Sequence, residues 1–407
     1  MRAGCRAAVT RQPSAPADND AGVNMEPSAR RPRLVAGLDI VPLTEDRIML
    51  RSFSSTIVLS GQFVARSLPL LLPCLDGNHD LDDLKAFVDP DYHPELDALL
   101  RQLEEKGFLT TGRREATSPI RNGREQAYWA VQTASTADVA RRLAKASVIV
   151  AGLGGVGATV ATALAAAGVG QLTLVDPCIV AEMDVGFGFG TNEVGEARAV
   201  ALAARLGDSA VRAEGLNIGI DAVSDWSALV AGAGHVVLCS DTMALAGHDR
   251  TNAACLAART PWLSVRADRG SALIGPYVIP GESACFTCFE LRNRINSDHP
   301  ADHEAMTAHW KSIAPTAEPW PALGAFTAAV GQMVALDLIH VIGGARLSAA
   351  LGRVIHLSPA VFNARHHEVL KLPRCPACSR LRERPMTRIW DIVASPSVDS
   401  PALAASE

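Results

Sequence analysis

The chain is 407 residues long, 48% hydrophobic and 20% charged, with a formal net charge of −5. That length has room for two or three domains of roughly 100–200 residues each, and the composition is that of a globular protein with a sizeable core. The balance of charge does not favour nucleic acid or anionic lipid as a main partner, and no apolar run is expected to reach the ~18 residues of a membrane span.

Residues 1–33 include "RQPSAPADNDAGV" and lack the apolar core of a secretion signal. They are expected to form a disordered tail, with the cytoplasm as the expected location. A first block follows over 34–111. "GLDIVPLTEDRIMLRS" alternates on both sides of Thr44, Glu45 and Asp46 and predicts a hairpin, and "STIVLSG" predicts a third strand. Helices are predicted over Phe63–Leu75, over Leu81–Phe87 behind the N-cap Asp80, and over Glu95–Lys106, which stops at Gly107. With "FLTT" as a returning strand, the block has the element order of a winged helix. Residues 112–138 form a polar connector around Trp129.

The second block runs from about residue 139 to 345, with the cysteine-bearing end of the domain extending to 385. Strands predicted at Ser147–Ala151, Gln171–Val175 and Val236–Cys239 alternate with helices. That order implies an α/β, doubly wound, Rossmann-like parallel sheet. Residues 322–344 predict a long apolar helix packed on the sheet or on a second copy of the chain, and residues 386–407 a solvated tail.

Gly152, Gly154, Gly155 and Gly157 lie between a predicted strand and a predicted helix, where a tight turn and a close phosphate approach both require glycine. The helix N-terminus offers N–H groups to phosphate, and Asp176 at the end of the next strand is placed for ribose hydroxyls. The loop alone does not separate NAD from ATP. Cys285, Cys288, Cys375 and Cys378 form two Cys-x-x-Cys knuckles, the spacing that lets both thiolates of a pair reach one tetrahedral zinc. Four thiolates leave no open position, so such a zinc is structural. Cys74, Cys239 and Cys255 read as core residues, and His366 and His367 as surface residues on a strand.

The doubled central glycine, "GVGQLTLVD", Asp241 in "LCSDTM", "HDRTNAACLAARTPWLSV" and the paired cysteines together resemble the ThiF/MoeB/HesA superfamily of ubiquitin-activating-enzyme-like adenylating proteins. The resemblance implies ATP and magnesium as cofactors, Asp176 as ribose binder, Asp241 as magnesium ligand, and zinc on the four cysteines. It also exposes a departure. In "EMDVGFGFGTNEVGEAR", Asp184, Phe187 and Gly188 stand where the family carries asparagine, arginine and glutamine, and Arg198 stands where it carries lysine. Exchanging a phosphate-facing arginine for phenylalanine removes five donors and a fixed charge, so ATP cleavage is expected to be lost. If ATP is cleaved, Asp241 and Arg198 are the residues expected to serve it.

No cysteine lies between Cys288 and Cys375, the interval where sulfur- and thioester-transferring relatives place theirs. "LPLLLPCLDGNHDLDDLKAF" followed by "LLRQLEEKGFL" resembles the precursor recognition element, the winged domain that binds leader peptides in enzymes modifying ribosomal peptides. By that resemblance a leader would add as a strand beside Thr56, Ile57, Val58 and Leu59, against a helix bearing Leu96, Leu99, Leu100 and Leu103; Leu99 and Leu103 are its candidate contacts. The combined order resembles the ocin-ThiF-like proteins, which hand a precursor peptide to a separate YcaO cyclodehydratase that closes azoline rings. A peptide-adenylating enzyme is the alternative, and a homodimer is implied by the resemblance.

Overall fold

A computed structural model describes residues 31–35, 37–52, 55–111, 125, 128, 129, 132, 136–207, 211–220, 226–242, 244–268, 270–314, 321–358, 361 and 363–379. The expected N-terminal tail up to residue 30, most of the connector and the expected C-terminal tail lie outside the described residues. The chain divides into two compact units, one of Met1–Lys145 with His340–Arg346, the other of Ala146–Ile339 with Leu347–Glu407.

In the first unit, β1 (Pro32–Leu34) pairs antiparallel with β5 (Leu109–Thr111). A separate antiparallel sheet has the order β2 (Asp39–Thr44), β3 (Arg47–Arg51), β4 (Thr56–Ser60). β2 and β3 form the expected hairpin, and the Thr44 hydroxyl donates to Asp46 at 2.8 Å across its turn. The helix expected over Phe63–Leu75 is broken into α1 (Gln62–Arg66), α2 (Leu68–Leu71) and a 3₁₀ turn over Leu72–Cys74. Pro69 and Pro73 explain the break, since neither supplies the N–H that a continuous helix needs. α3 (Leu81–Ala86) starts with a reciprocal cap, Asp80 accepting from the Asp83 N–H and Asp83 from the Asp80 N–H. α4 (His93–Glu105) packs Leu96, Leu99 and Leu103 against Leu50, Ile57, Leu59, Leu68 and Phe108. Each such leucine contributes about 1.5–3 kcal/mol over its exposed state. A further helix, α5 (Thr136–Lys145), belongs to the same unit.

The second unit is built on an eight-stranded sheet in the order β13, β12, β11, β10, β9, β6, β7, β8. Five strands, β6 (Ser147–Ala151), β7 (Gln171–Val175), β8 (Arg212–Leu216), β9 (His235–Ser240) and β10 (Trp262–Asp268), are mutually parallel. The sheet is mixed rather than wholly parallel, because β11 (Ser271–Val278), β12 (Arg353–Ser358) and β13 (Asn363–Glu368) add antiparallel. The alternation rule reads only strands joined through helices. β10 and β11 are joined by a tight turn, which requires an antiparallel pair. Helices α6 (Gly155–Ala166), α7 (Arg198–Gly207), α8 (Trp226–Ala231), α9 (Ala246–Ala258), α10 (Phe286–Ile295) and α11 (Pro300–Ser312) follow in chain order.

α12 (Gly324–Gly343) is 20 residues long with a mean hydropathy of 1.7, so one helix is long and apolar enough to cross a membrane, against expectation. Its composition follows from burial: Val330, Val334, Ala335 and Leu338 are at most 1% exposed. β6 and β9 are neighbours although β7 follows β6 in sequence, so the strand order reverses between them. Crevices at such reversals, at the carboxyl ends of the strands, are where doubly wound sheets hold ligands.

Candidate functional site

A cavity of about 920 Å³ opens at that reversal. Gly152 follows β6, Asp176 follows β7 and Asp241 follows β9, so three strand ends deliver the sequence-predicted residues to one place. Gly154, Gly155 and Arg198 line it too, and Gly157 sits one turn into α6.

Each loop glycine answers to a contact within the protein. Gly152 has φ +79° and lies where a Cβ would overlap the Cys239 carbonyl, while a Cβ on Gly157 would overlap the carbonyl of Gly152. A Cβ on Gly154 would overlap the Asp241 carboxylate. One on Gly155 would come within 2.7 Å of the Thr327 hydroxyl and 3.2 Å of the Phe187 ring. Close packing of β6, α6 and β9 therefore accounts for Gly152 and Gly157 independently of any phosphate, whereas Gly154 and Gly155 meet only side chains.

Asp176 is 4% exposed and accepts from the Leu153 N–H at 2.6 Å and the Cys178 N–H at 2.8 Å. Those bonds fix its carboxylate at the cavity wall. Arg198 donates to both oxygens of Asp184, Nε at 3.1 Å and a terminal nitrogen at 2.7 Å, and its other terminal nitrogen is 3.9 Å from Asp176. Burial works against the guanidinium charge, but Asp176 and Asp184 outweigh it and raise the pKa above its ordinary value. Asp184 is 5% exposed and also accepts from the Ala181 N–H. A planar guanidinium held by a carboxylate in this two-pronged way is committed to that partner.

Asp241 is half-buried, and burial raises its pKa to about 6 even though the N–H groups of Val156 and Gly155 face it and favour its charge. Cys178, on the wall, is raised to about 11 by burial and by Asp176, so its thiol stays protonated and is a poor nucleophile. His248, also on the wall, is lowered to about 3 by burial and stays neutral. Among the described lining residues the cavity thus holds three carboxylates against the single guanidinium of Arg198.

The four knuckle cysteines converge, their sulfurs all within 4.8 Å of one another. Cys285 is 3.9 Å from Cys288 and 3.7 Å from Cys375, and Cys288 is 3.6 Å from Cys378. Tetrahedral zinc with Zn–S bonds of ~2.3 Å needs sulfurs about 3.8 Å apart, so the donor set fits the ion. Cys239 and Cys255 are buried in the core as expected, Cys74 is half-buried, and His366 and His367 are exposed on β13. In the first unit, Ile57 and Leu59 are 1% exposed, and Thr56 and Val58 are half-buried. Leu99 and Leu103 are 5% and 0% exposed and belong to the core, leaving the half-buried Leu100 as the leucine of α4 nearest to solvent.

Thr327 and Phe326 of α12 line the cavity from far along the chain, and His248 lines it from α9; sequence reading missed all three. Nothing local marks them, because only the packing of α12 against α6 brings Thr327 to the loop. A second ion pair, Arg205 with Glu193 at 2.8 Å, pins the glycine-rich stretch, and Arg205 also donates to the Gly188 carbonyl at 2.6 Å.

The ThiF family model matches residues 129–378. The chain belongs to the ThiF family. Among solved structures, Escherichia coli MccB with ATP is similar at 17% identity and a TM-score of 0.67, over 86% of this chain and 99% of that one. The microcin C7 biosynthetic enzyme MccB in complex with N-formylated MccA gives 18% identity, the same TM-score and the same coverage. PaaA is similar at 19% identity and a TM-score of 0.54, over 68% of this chain and 92% of that one. At these identities the likeness is one of fold. No curated protein matches the chain by sequence.

Proposed function

We propose that this ThiF-family chain binds the leader of a ribosomally made precursor peptide and delivers it to a separate ATP-dependent cyclodehydratase of the YcaO type, without cleaving ATP itself. The observation that carries this reading is the state of Arg198. ATP cleavage calls for cations aimed at the phosphates. The one described guanidinium in the cavity is instead locked to Asp184 beside Asp176, and Phe187 lies against the glycine loop. Peptide binding is supported by the fold likeness to MccB, which covers nearly all of that chain and whose structures include one with N-formylated MccA.

The leader would extend the three-stranded sheet at β4, which pairs with β3 on one edge and has no described strand on the other. Fluorescence anisotropy of labelled synthetic leader peptides, taken from any precursor gene found near the protein's own, tests this on the full chain. Saturable binding is expected, weakened ~10-fold or more by Val58→Glu with no fall in melting temperature; absence of binding contradicts the reading.

A second reading, adenylation of a peptide carboxylate, is favoured by Asp176 and Asp241 standing at the ends of β7 and β9, on either side of β6, in a cavity large enough for a nucleotide. In that reading Asp241 would hold magnesium, whose chemistry is to neutralise the departing pyrophosphate. The charge inventory of the cavity favours the first.

A further inference from the structure

Cys285 holds the N-cap position of α10 without a side-chain cap bond, so the first-turn N–H groups of that helix need another acceptor. α9 supplies it. Asn252, 1% exposed, accepts from the Phe286 N–H at 3.1 Å and donates to the Thr287 hydroxyl at 3.2 Å, so one amide holds both residues between Cys285 and Cys288. One turn earlier on the same face of α9, the His248 ring stacks on the Phe286 ring with centroids 5.2 Å apart. The first turn of α9 and the loop before it form one wall of the cavity, through Asp241, Thr242, Ala244, Gly247 and His248. The helix that bears this wall is thus fastened, on its buried face, to the stretch between two cysteines of the cluster.

We infer that Asn252 is a positioning residue that couples the cysteine cluster to the cavity: it sets the Cys285–Cys288 knuckle for the metal and, through α9, holds the cavity wall in register with it. The groups that orient a metal's ligands matter to its affinity nearly as much as the ligands do, and Asn252 orients the backbone that carries two of the four sulfurs. A buried amide whose oxygen and nitrogen are both committed to one knuckle is costly to strand, so helix and knuckle move together. The coupling concerns the shape of the cavity and holds whether or not the cavity cleaves ATP.

The test compares the full-length wild type, Asn252→Ala, and Asn252→Asp, which keeps the acceptor for the Phe286 N–H. Release of zinc to the chromogenic chelator pyridylazoresorcinol is expected to be about tenfold or more faster from Asn252→Ala, with Asn252→Asp close to wild type. With cobalt in place of zinc, the ligand-field bands of Asn252→Ala are expected to shift, a signature that a role in packing alone would not produce. Hydrogen exchange read by mass spectrometry reports on the wall. With metal bound, amides over Ala246–Ala258 are expected to exchange about tenfold faster in Asn252→Ala than in wild type, while β7, two strands from β9, keeps its protection. If Asn252→Ala does not fold, Thr287→Val, which removes one of the two bonds, takes its place, with smaller changes in the same direction. Zinc release and α9 exchange equal to wild type in a folded variant overturn the coupling. A change in only one of the two also overturns it, because the inference ties them together.

Discussion

At the scale of single residues, the meaning of the site turns on what Arg198 and Asp184 do to each other. Both are largely buried, and each satisfies the other. Removing one partner of a buried pair leaves an uncompensated charge, at a cost of about 3–5 kcal/mol, whereas replacing both by apolar groups is often nearly neutral. Arg198→Ala is therefore expected to lower unfolding stability by that amount in urea, and Arg198→Met with Asp184→Leu to recover most of it. A neutral Arg198→Ala would show that the guanidinium is free for other work. The sequence places Asp184 where the family carries asparagine, and the structure supplies its reason, since the aspartate answers the arginine fourteen residues later. The four loop glycines were legible because a strand, a turn and a helix start encode them locally. Thr327 was not, because its place beside Gly155 depends on how α12 packs.

At the scale of elements, the proposed loss of ATP cleavage rests on the segment from Glu182 to Arg198. Two ion pairs pin it, Arg198 with Asp184 and Arg205 with Glu193, and its Phe187 ring covers the loop. In the first unit, the spacing of leucines on α4 revealed a helix but not which leucines face a partner. Leu96, Leu99 and Leu103 share the stripe that the core takes, so Leu99→Ala is expected to cost about 2–5 kcal/mol of stability rather than act through peptide contact. Urea unfolding beside the anisotropy measurement separates the two effects. The break between α1 and α2 was written in Pro69 and Pro73, but the apolar pattern across them is continuous and masked it. The antiparallel half of the large sheet was less legible as part of it, because the β11–β12 pairing joins distant stretches of chain and no helical alternation announces it.

At the scale of the whole molecule, the four-cysteine cluster ties the end of the described chain to the large sheet. Cys285, Cys288 and Cys375 sit in the same core cluster as Val278 and Val354, so the binding energy of a zinc held there would be folding energy for the second unit. Cys378→Ser is expected to lose zinc by elemental analysis and to lower the melting temperature by about 10 °C or more; unchanged melting would mean that the cluster closes without metal. The paired knuckles, the glycine loop and Asp241 identified the family from sequence, and the geometry of the cavity bears on what this member does with it. The most direct test is exchange of labelled pyrophosphate into ATP by the full-length protein with magnesium and its precursor peptide. The account predicts no exchange above background, with or without peptide, from protein that binds the leader. Robust peptide-dependent exchange would contradict it and make the cavity a working adenylation site.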